Sequence, residues 1–203
     1  MQILKDDIRK DILEKSEILF LQKGFLKTSM REVSKLSGVG VSNLYNYFPS
    51  KDQLFCEVVR PVTQAFKQML DEHHGRRGRD IMDMQSKDYF LYVVDEYLDL
   101  LMRHRKRLEL LLFRAQGSSL ENFRKDYADQ STSVFKAYLM EMKQKHPELN
   151  IRISDFYIHL HTIWMFDLLE EMIRQKVGPE HTRQIITEYM TGEIFGWREL
   201  MNV

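Results

Sequence analysis

The sequence predicts an all-α protein of about nine helices, with an N-terminal three-helix bundle followed by a larger C-terminal helical domain. Three observations carry this. Apolar residues recur along most of the chain at three- and four-residue spacing, the period of a helix with one buried stripe. Only 4 Pro and 9 Gly occur in 203 residues, too few for the turns of a β sandwich. Most of those breakers fall in short clusters, at 37–40, 49–53, 75–78, 117–119, 146–147 and 178–179, and so cut the pattern into helices.

The first helix places Ile8, Ile12, Leu13, Leu19 and Phe20 on one stripe, with Lys10, Asp11, Glu14 and Lys15 opposite. Gly24 is expected to end it, because glycine takes the left-handed conformation at little steric cost, and Phe25 then folds back onto the core. Ser29 and Glu32 form a capping box, each side chain bonding the other's backbone amide, which starts a short second helix through Val33 and Leu36. Gly38 and Gly40 mark a tight turn. Ser34, four residues before Gly38, keeps the second helix shallow where the third crosses it. The third helix runs from Val41 to Phe48, and its spacing puts Val41, Leu44 and Phe48 on the inward side.

Pro49 breaks that helix, and Ser50 with Gln53 forms a second box for a fourth, whose stripe holds Leu54, Phe55, Val58, Val59, Val62, Phe66, Met69 and Leu70. Pro61 is expected to kink it. Residues 73–80, with two glycines and few apolar side chains, read as a loop. Further helical patterns cover roughly 86–103, 105–116, 119–146, 152–176 and 180–201.

Lys plus Arg and Asp plus Glu number 30 each, so a uniformly basic nucleic-acid coat and an acidic disordered tail are excluded, and any charge logic is local. It is: residues 23–51 hold five basic residues against Glu32 alone, a net +4, whereas residues 1–60 together carry +2. One cysteine, Cys56, excludes a disulfide framework and a multi-thiolate metal cluster and fits a reducing compartment. No apolar stretch approaches the ~20 residues of a membrane span, and the start has acids where a signal peptide has its apolar region. The expectation is a cytoplasmic protein with no membrane segment.

Two short helices joined by a glycine turn make a helix-turn-helix, whose second helix lies in the major groove of DNA. The string formed by Gly24-Phe25, Thr28 to Val33, Gly38-Val39 and Leu44 to Leu54 closely resembles the tetracycline-repressor-like (TetR) transcription regulators. The resemblance covers the first quarter to third of the chain. It implies a DNA-binding domain at 1–50 and a ligand-binding, dimerising helical domain at 51–203, and hence a homodimeric repressor acting on a pseudo-palindromic operator. Thr28 and Ser29 stand where the family sets hydroxyls and a helix N-terminus against phosphate. Tyr45 and Lys51 match positions that hold the DNA backbone, and Arg31 belongs to the same basic surface. The reading face is expected to comprise Gly40, Val41, Ser42, Asn43, Asn46 and Tyr47, with Asn43 bidentate to adenine and Val41 on a thymine methyl. Gly40 departs from the common Ser or Thr cap, which weakens the start of the third helix, and Ser42 stands where many members have Gly.

In the second part Phe113, Tyr127, Phe135, Tyr138, Phe156, Trp164, Met165 and Phe166 are the candidate wall of a pocket for a small apolar or amphipathic ligand. The stretch from Phe156 to Ile173 is apolar on nearly all sides, which requires burial on two faces. A dimer interface is therefore expected at Leu160, Trp164, Leu168, Met172, Ile186, Met190, Ile194 and Trp197. His159 and His161 are two residues apart and His73 and His74 adjacent, poor chelating pairs, so neither metal nor cofactor is expected. The alternatives are a helical-bundle metal enzyme and a helix-turn-helix adaptor for protein partners. Against an enzyme stands the lack of Glu-x-x-His pairs, of HExxH, of a Gly-rich phosphate loop and of GxSxG.

Overall fold

The computed structural model describes residues 2–75 and 77–202; Arg76 of the expected loop, with residues 1 and 203, lies outside the described residues. They form nine α-helices: α1 (Gln2–Lys27), α2 (Met30–Ser37), α3 (Val41–Tyr47), α4 (Lys51–His73), α5 (Lys87–Arg103), α6 (Arg105–Phe113), α7 (Phe123–Lys145), α8 (Asp155–Arg174) and α9 (Pro179–Met201). A single 3-10 turn, Asp83–Gln85, precedes α5. The chain divides into two compact units. The first runs to Gln64 and takes in His104–Phe123; the second holds Ala65–Arg103 and the chain from Arg124 on.

The core of the first unit is the expected stripe of α1 packed on the stripes that follow. Ile12, Phe20, Val33, Leu44, Leu54 and Phe55 are fully buried. Gly24 interrupts α1 with φ 76 and ψ 166, a left-handed backbone that a side chain disfavours. The interruption frees the Phe25 amide to bond the carbonyl of Arg114 at 2.9 Å and turns the Phe25 ring into the core. There it meets Phe55 edge-on at 5.3 Å, and Phe55 meets Phe20 edge-on at 5.1 Å. Such aromatic pairs add to burial because the positive edge of one ring faces the negative face of the other. Pro61 lies inside α4, which continues past it to His73.

In the second unit, α7, α8 and the end of α9 share a core of Phe135, Tyr138, Leu139, Met142, Ile158 and Met201, with Ile81 and Leu149 from the connecting segments. α8 starts at Ser154, whose hydroxyl accepts from the Tyr157 amide, and α9 starts at Pro179, where the missing N–H removes nothing the helix would use. Ile158, Thr162, Met165, Phe166, Leu169, Met172 and Ile173 make the buried face of α8. Its opposite side carries Phe156, 73% exposed, and Trp164, 40% exposed. No described helix is long and apolar enough to cross a membrane.

Candidate functional site

Local chemistry builds the helix-turn-helix. The Ser29 hydroxyl accepts from the Glu32 amide at 3.3 Å while the Ser29 amide donates to Glu32 Oε2 at 2.9 Å, so both halves of the capping box form. Lys23 also bonds Glu32. That ion pair, then the Ser29 hydroxyl and amide, push the Glu32 carboxyl down to about 2. At the other end of α2, Gly38 takes φ 69 and closes the helix. The Ser34 hydroxyl donates to the Val39 carbonyl at 2.6 Å and that of Ser37 to the Val33 carbonyl at 2.8 Å, so the turn's carbonyls are satisfied by the small side chains beside them.

α3 starts at Gly40 with no side-chain cap, as its sequence requires. Leu44 is its one buried residue, and the Phe48 amide closes the last turn on the Leu44 carbonyl at 3.0 Å. Ser42, Asn43, Tyr45 and Asn46 are exposed and Tyr47 is half-buried. Val41, placed inward by its spacing, is exposed instead, because the first turn of so short a helix precedes its anchor at Leu44. Asn43, two residues on, is exposed on a different side of the helix. Ser29, Arg31 and Gly40 are exposed as well.

Two of the expected phosphate ligands are otherwise engaged. Thr28 is 2% exposed, and its hydroxyl donates to the Gly24 carbonyl at 2.8 Å, satisfying a group left over by the break in α1. Lys51 lies with its ammonium 4.1 Å over the Phe25 ring and donates to the carbonyls of Phe25 at 2.8 Å and Thr28 at 2.9 Å. Partial burial pulls its pKa down. Lys51 therefore clamps the end of α1 to the start of α4. Because Lys23 is spent on Glu32, the outward positive charge of this surface rests on Lys27, Arg31 and Lys35, all exposed.

The second unit holds a half-open cavity of about 190 Å³. Of the expected wall, Tyr127, Phe135, Tyr138 and Met165 line it. Four others do not. Phe113 belongs to the first unit; Phe156 and Trp164 sit on the outward side of α8; Phe166 is fully buried against Phe66, their rings 5.3 Å apart, and is core. Helical spacing identifies a face, but which buried residues border a void depends on how several helices meet. The rest of the lining went unseen in the sequence, chiefly His73 and His74 at the end of α4 and Tyr189, Glu193 and Trp197 on α9.

The expected dimer surface is corrected in the same way. Met172, Ile186 and Met190 are buried within the chain, and Met190, Ile194 and Trp197 border the cavity. Their common stripe packs onto their own unit, an outcome periodicity does not distinguish from packing on a partner. Leu160 and Leu168, half-buried, share an i, i+4 row with Phe156 and Trp164 on the outward side of α8. Phe195 on α9 is 65% exposed.

At the cavity wall, His73 bonds Tyr89 through Nδ1 and Glu96 through Nε2, each at 2.5 Å, and the Tyr92 hydroxyl donates to Glu72 at 2.6 Å and Glu96 at 3.0 Å. No group of three or more His, Cys, Asp or Glu among the described residues is arranged to hold a metal ion.

The comparisons with known proteins agree with this geometry. The family described as "Bacterial regulatory proteins, tetR family" matches residues 12–58. The "Probable HTH-type transcriptional regulator YttP" of Bacillus subtilis (strain 168) is 22% identical over 170 residues, covering 82% of this chain and 80% of the relative. NalD, described as the secondary repressor of the MexAB-OprM multidrug efflux pump in Pseudomonas aeruginosa, superposes with TM-score 0.65 at 17% identity, covering 95% of this chain and 96% of its own. A TetR-family transcriptional regulator from Bordetella parapertussis 12822 superposes with TM-score 0.61 at 15% identity, covering 90% of this chain and 93% of its own. With the capping box, the glycine turn and the exposed residues of α3 in place, residues 12–58 match the tetR family of bacterial regulatory proteins, and the chain as a whole is similar to HTH-type transcriptional regulators.

Proposed function

We propose that this regulator is a ligand-responsive repressor that acts in the bacterial cytoplasm as a homodimer on a pseudo-palindromic operator. One observation carries the reading: α3 is anchored by Leu44 alone and turns Val41, Ser42, Asn43, Tyr45 and Asn46 outward, the arrangement of a helix built to enter a groove. Asn43 reads adenine through its amide and Val41 contacts a thymine methyl; Ser42 and Asn46 flank them. Ser29, Arg31, Tyr45, Tyr47 and the Gly40 backbone hold phosphates and set the register. Thr28 and Lys51 shape this surface from behind. Functionally the chain divides into reading residues at 1–50 and a responding domain at 51–203.

The second copy is expected to cover the Phe156, Leu160, Trp164 and Leu168 row of α8 together with Phe195 of α9, apolar groups the chain leaves exposed or half-buried. On α9, Gly192 and Gly196 lie four apart, and an added Cβ at either meets nothing within 4 Å, leaving room for a close helix approach. α4 supplies residues to both units, so occupancy of the cavity has a covalent route to the reading head. A ligand shifts the head only by its difference in affinity between the two states. Repression is favoured by NalD, itself described as a repressor.

Selection of bound duplexes from a random pool, followed by fluorescence anisotropy on the winner, tests the reading. A pseudo-palindrome is expected, with preference at one base step relaxed by Asn43→Ala at a cost of about 1–3 kcal/mol. Sedimentation should show a dimer that Trp164→Asp converts to monomer. Absence of any selected sequence, or an Asn43→Ala variant with unchanged preference, would overturn it.

A further inference from the structure

We infer that Arg9 is a positioning residue for the reading helix: its guanidinium, held by Glu57, lies over the ring of Phe48 and fixes the direction in which α3 leaves the core. This rests on α3 being the helix that enters the groove. α3 has little else to orient it. It starts at Gly40 without a side-chain cap, and Leu44 is the one residue it buries. A single anchor fixes the place of a helix but leaves its tilt open. Phe48, at the C-cap one turn beyond Leu44, supplies a second point: it is 2% exposed, and its amide closes the helix on the Leu44 carbonyl. The Arg9 guanidinium carbon lies 5.2 Å from the centroid of that ring, close enough for a cation to be drawn to the negative face of an aromatic.

Glu57 of α4 keeps the guanidinium there. Arg9 Nη2 donates to Glu57 Oε2 at 2.5 Å, and Arg60 Nε lies 3.3 Å from the same oxygen, so the carboxylate is itself steadied from within α4. One side chain thus joins α1, the end of α3 and α4. Neither Arg9 nor Glu57 needs to touch DNA for this to matter. Hydrogen bonds to base edges weaken steeply when an angle or a distance slips, and Asn43 sits on the helix being steered. Long cationic side chains follow a phosphate through the same small tilt. Loss of Arg9 therefore erodes the preference for one sequence and spares the sequence-blind part of binding.

Anisotropy of the full chain against the selected duplex and a scrambled one, over a range of salt, tests this. Arg9→Met should bind the selected duplex about tenfold more weakly and the scrambled one within about twofold of the unaltered chain, with the salt slope unchanged. Glu57→Met separates orientation from charge. It removes an acid from a basic head, so charge alone would tighten binding to any DNA, whereas a guanidinium without its holder should lower the preference for the selected duplex by about fivefold. Combined with Arg9→Met it should lower that preference no further, because Glu57 acts through Arg9. A variant that merely folds less well loses the same fraction of binding on both duplexes, so the ratio of the two affinities isolates orientation. Lys10→Met, which takes the same charge from the neighbouring exposed residue, should keep the ratio. An unchanged ratio in Arg9→Met or Glu57→Met, or a ratio lowered as much by Lys10→Met, would overturn the inference and leave α3 as the reading helix. So would a salt slope reduced by about one in Arg9→Met, which would make Arg9 a phosphate ligand. An unaltered chain with no preference between the duplexes would overturn the role of α3, and that of Arg9 with it.

Discussion

The two units reach their working surfaces by different routes. In the first, the helix-turn-helix is made by neighbours in sequence: the box of Ser29 and Glu32, the left-handed Gly38, and the Ser34 hydroxyl on the Val39 carbonyl five residues away. In the second, the cavity is assembled from α4, α5, α7, α8 and α9, and its wall brings together His74, Phe135 and Trp197, far apart along the chain. Short-range rules leave a signature in the sequence; a cavity lined by five helices leaves none. The same contrast separates what substitutions should do in each region.

The largest effect is expected at Leu44. Leu44→Ala removes the one buried side chain of α3 and should cost roughly 2–5 kcal/mol, seen as a lower denaturant midpoint together with loss of operator binding. An unaltered midpoint would mean that α3 is held by something other than its core contact, and the contrast between a locally built head and a remotely built cavity would fail.

Lys51 gives an intermediate test, because its bonds depart from local construction. Lys51→Met keeps the stem and deletes the charge-assisted bonds to the Phe25 and Thr28 carbonyls, so about 1–2 kcal/mol of stability should go. The salt dependence of DNA affinity should keep its slope. Arg31→Ala should do the reverse, sparing stability and reducing the slope by about one. A flattened slope in Lys51→Met would return that ammonium to the phosphates.

The smallest effect belongs to the capping box. Ser29→Ala should cost about 1 kcal/mol and should raise the Glu32 pKa from about 2 toward the ordinary 4.5, read by carboxyl NMR titration. Since the folded value lies below the unfolded one, the contribution of Glu32 is complete above 4.5 and is lost as pH falls through about 2. Acid unfolding in that window should begin at higher pH in Ser29→Ala.

The helices were legible in the sequence because their ends are written in Gly, Pro, Ser and Glu at fixed offsets. Gly24, Gly38 and Pro179 all fall where the pattern demands them. The family string likewise marks out the reading head. What stayed hidden is what depends on a third element. Nothing near Lys51 in sequence announces that the Phe25 carbonyl, 26 positions earlier, lies within hydrogen-bond reach. Phe166 and Phe135 are alike as apolar helical residues, yet one is packed solid against Phe66 and the other borders empty space. Tyr189 looks like any aromatic on an amphipathic helix until its hydroxyl is found without a mate.

The sparse anchoring of α3 bears on how such a regulator diversifies. Ser42, Asn43 and Asn46 stand outside the interior, and solvent-facing substitutions of this kind usually alter stability by no more than about 0.5 kcal/mol. Retargeting to a new operator is thus nearly uncoupled from the integrity of the scaffold. Descendants of this chain can drift to different promoters one exposed side chain at a time, with the buried Leu44 held fixed throughout.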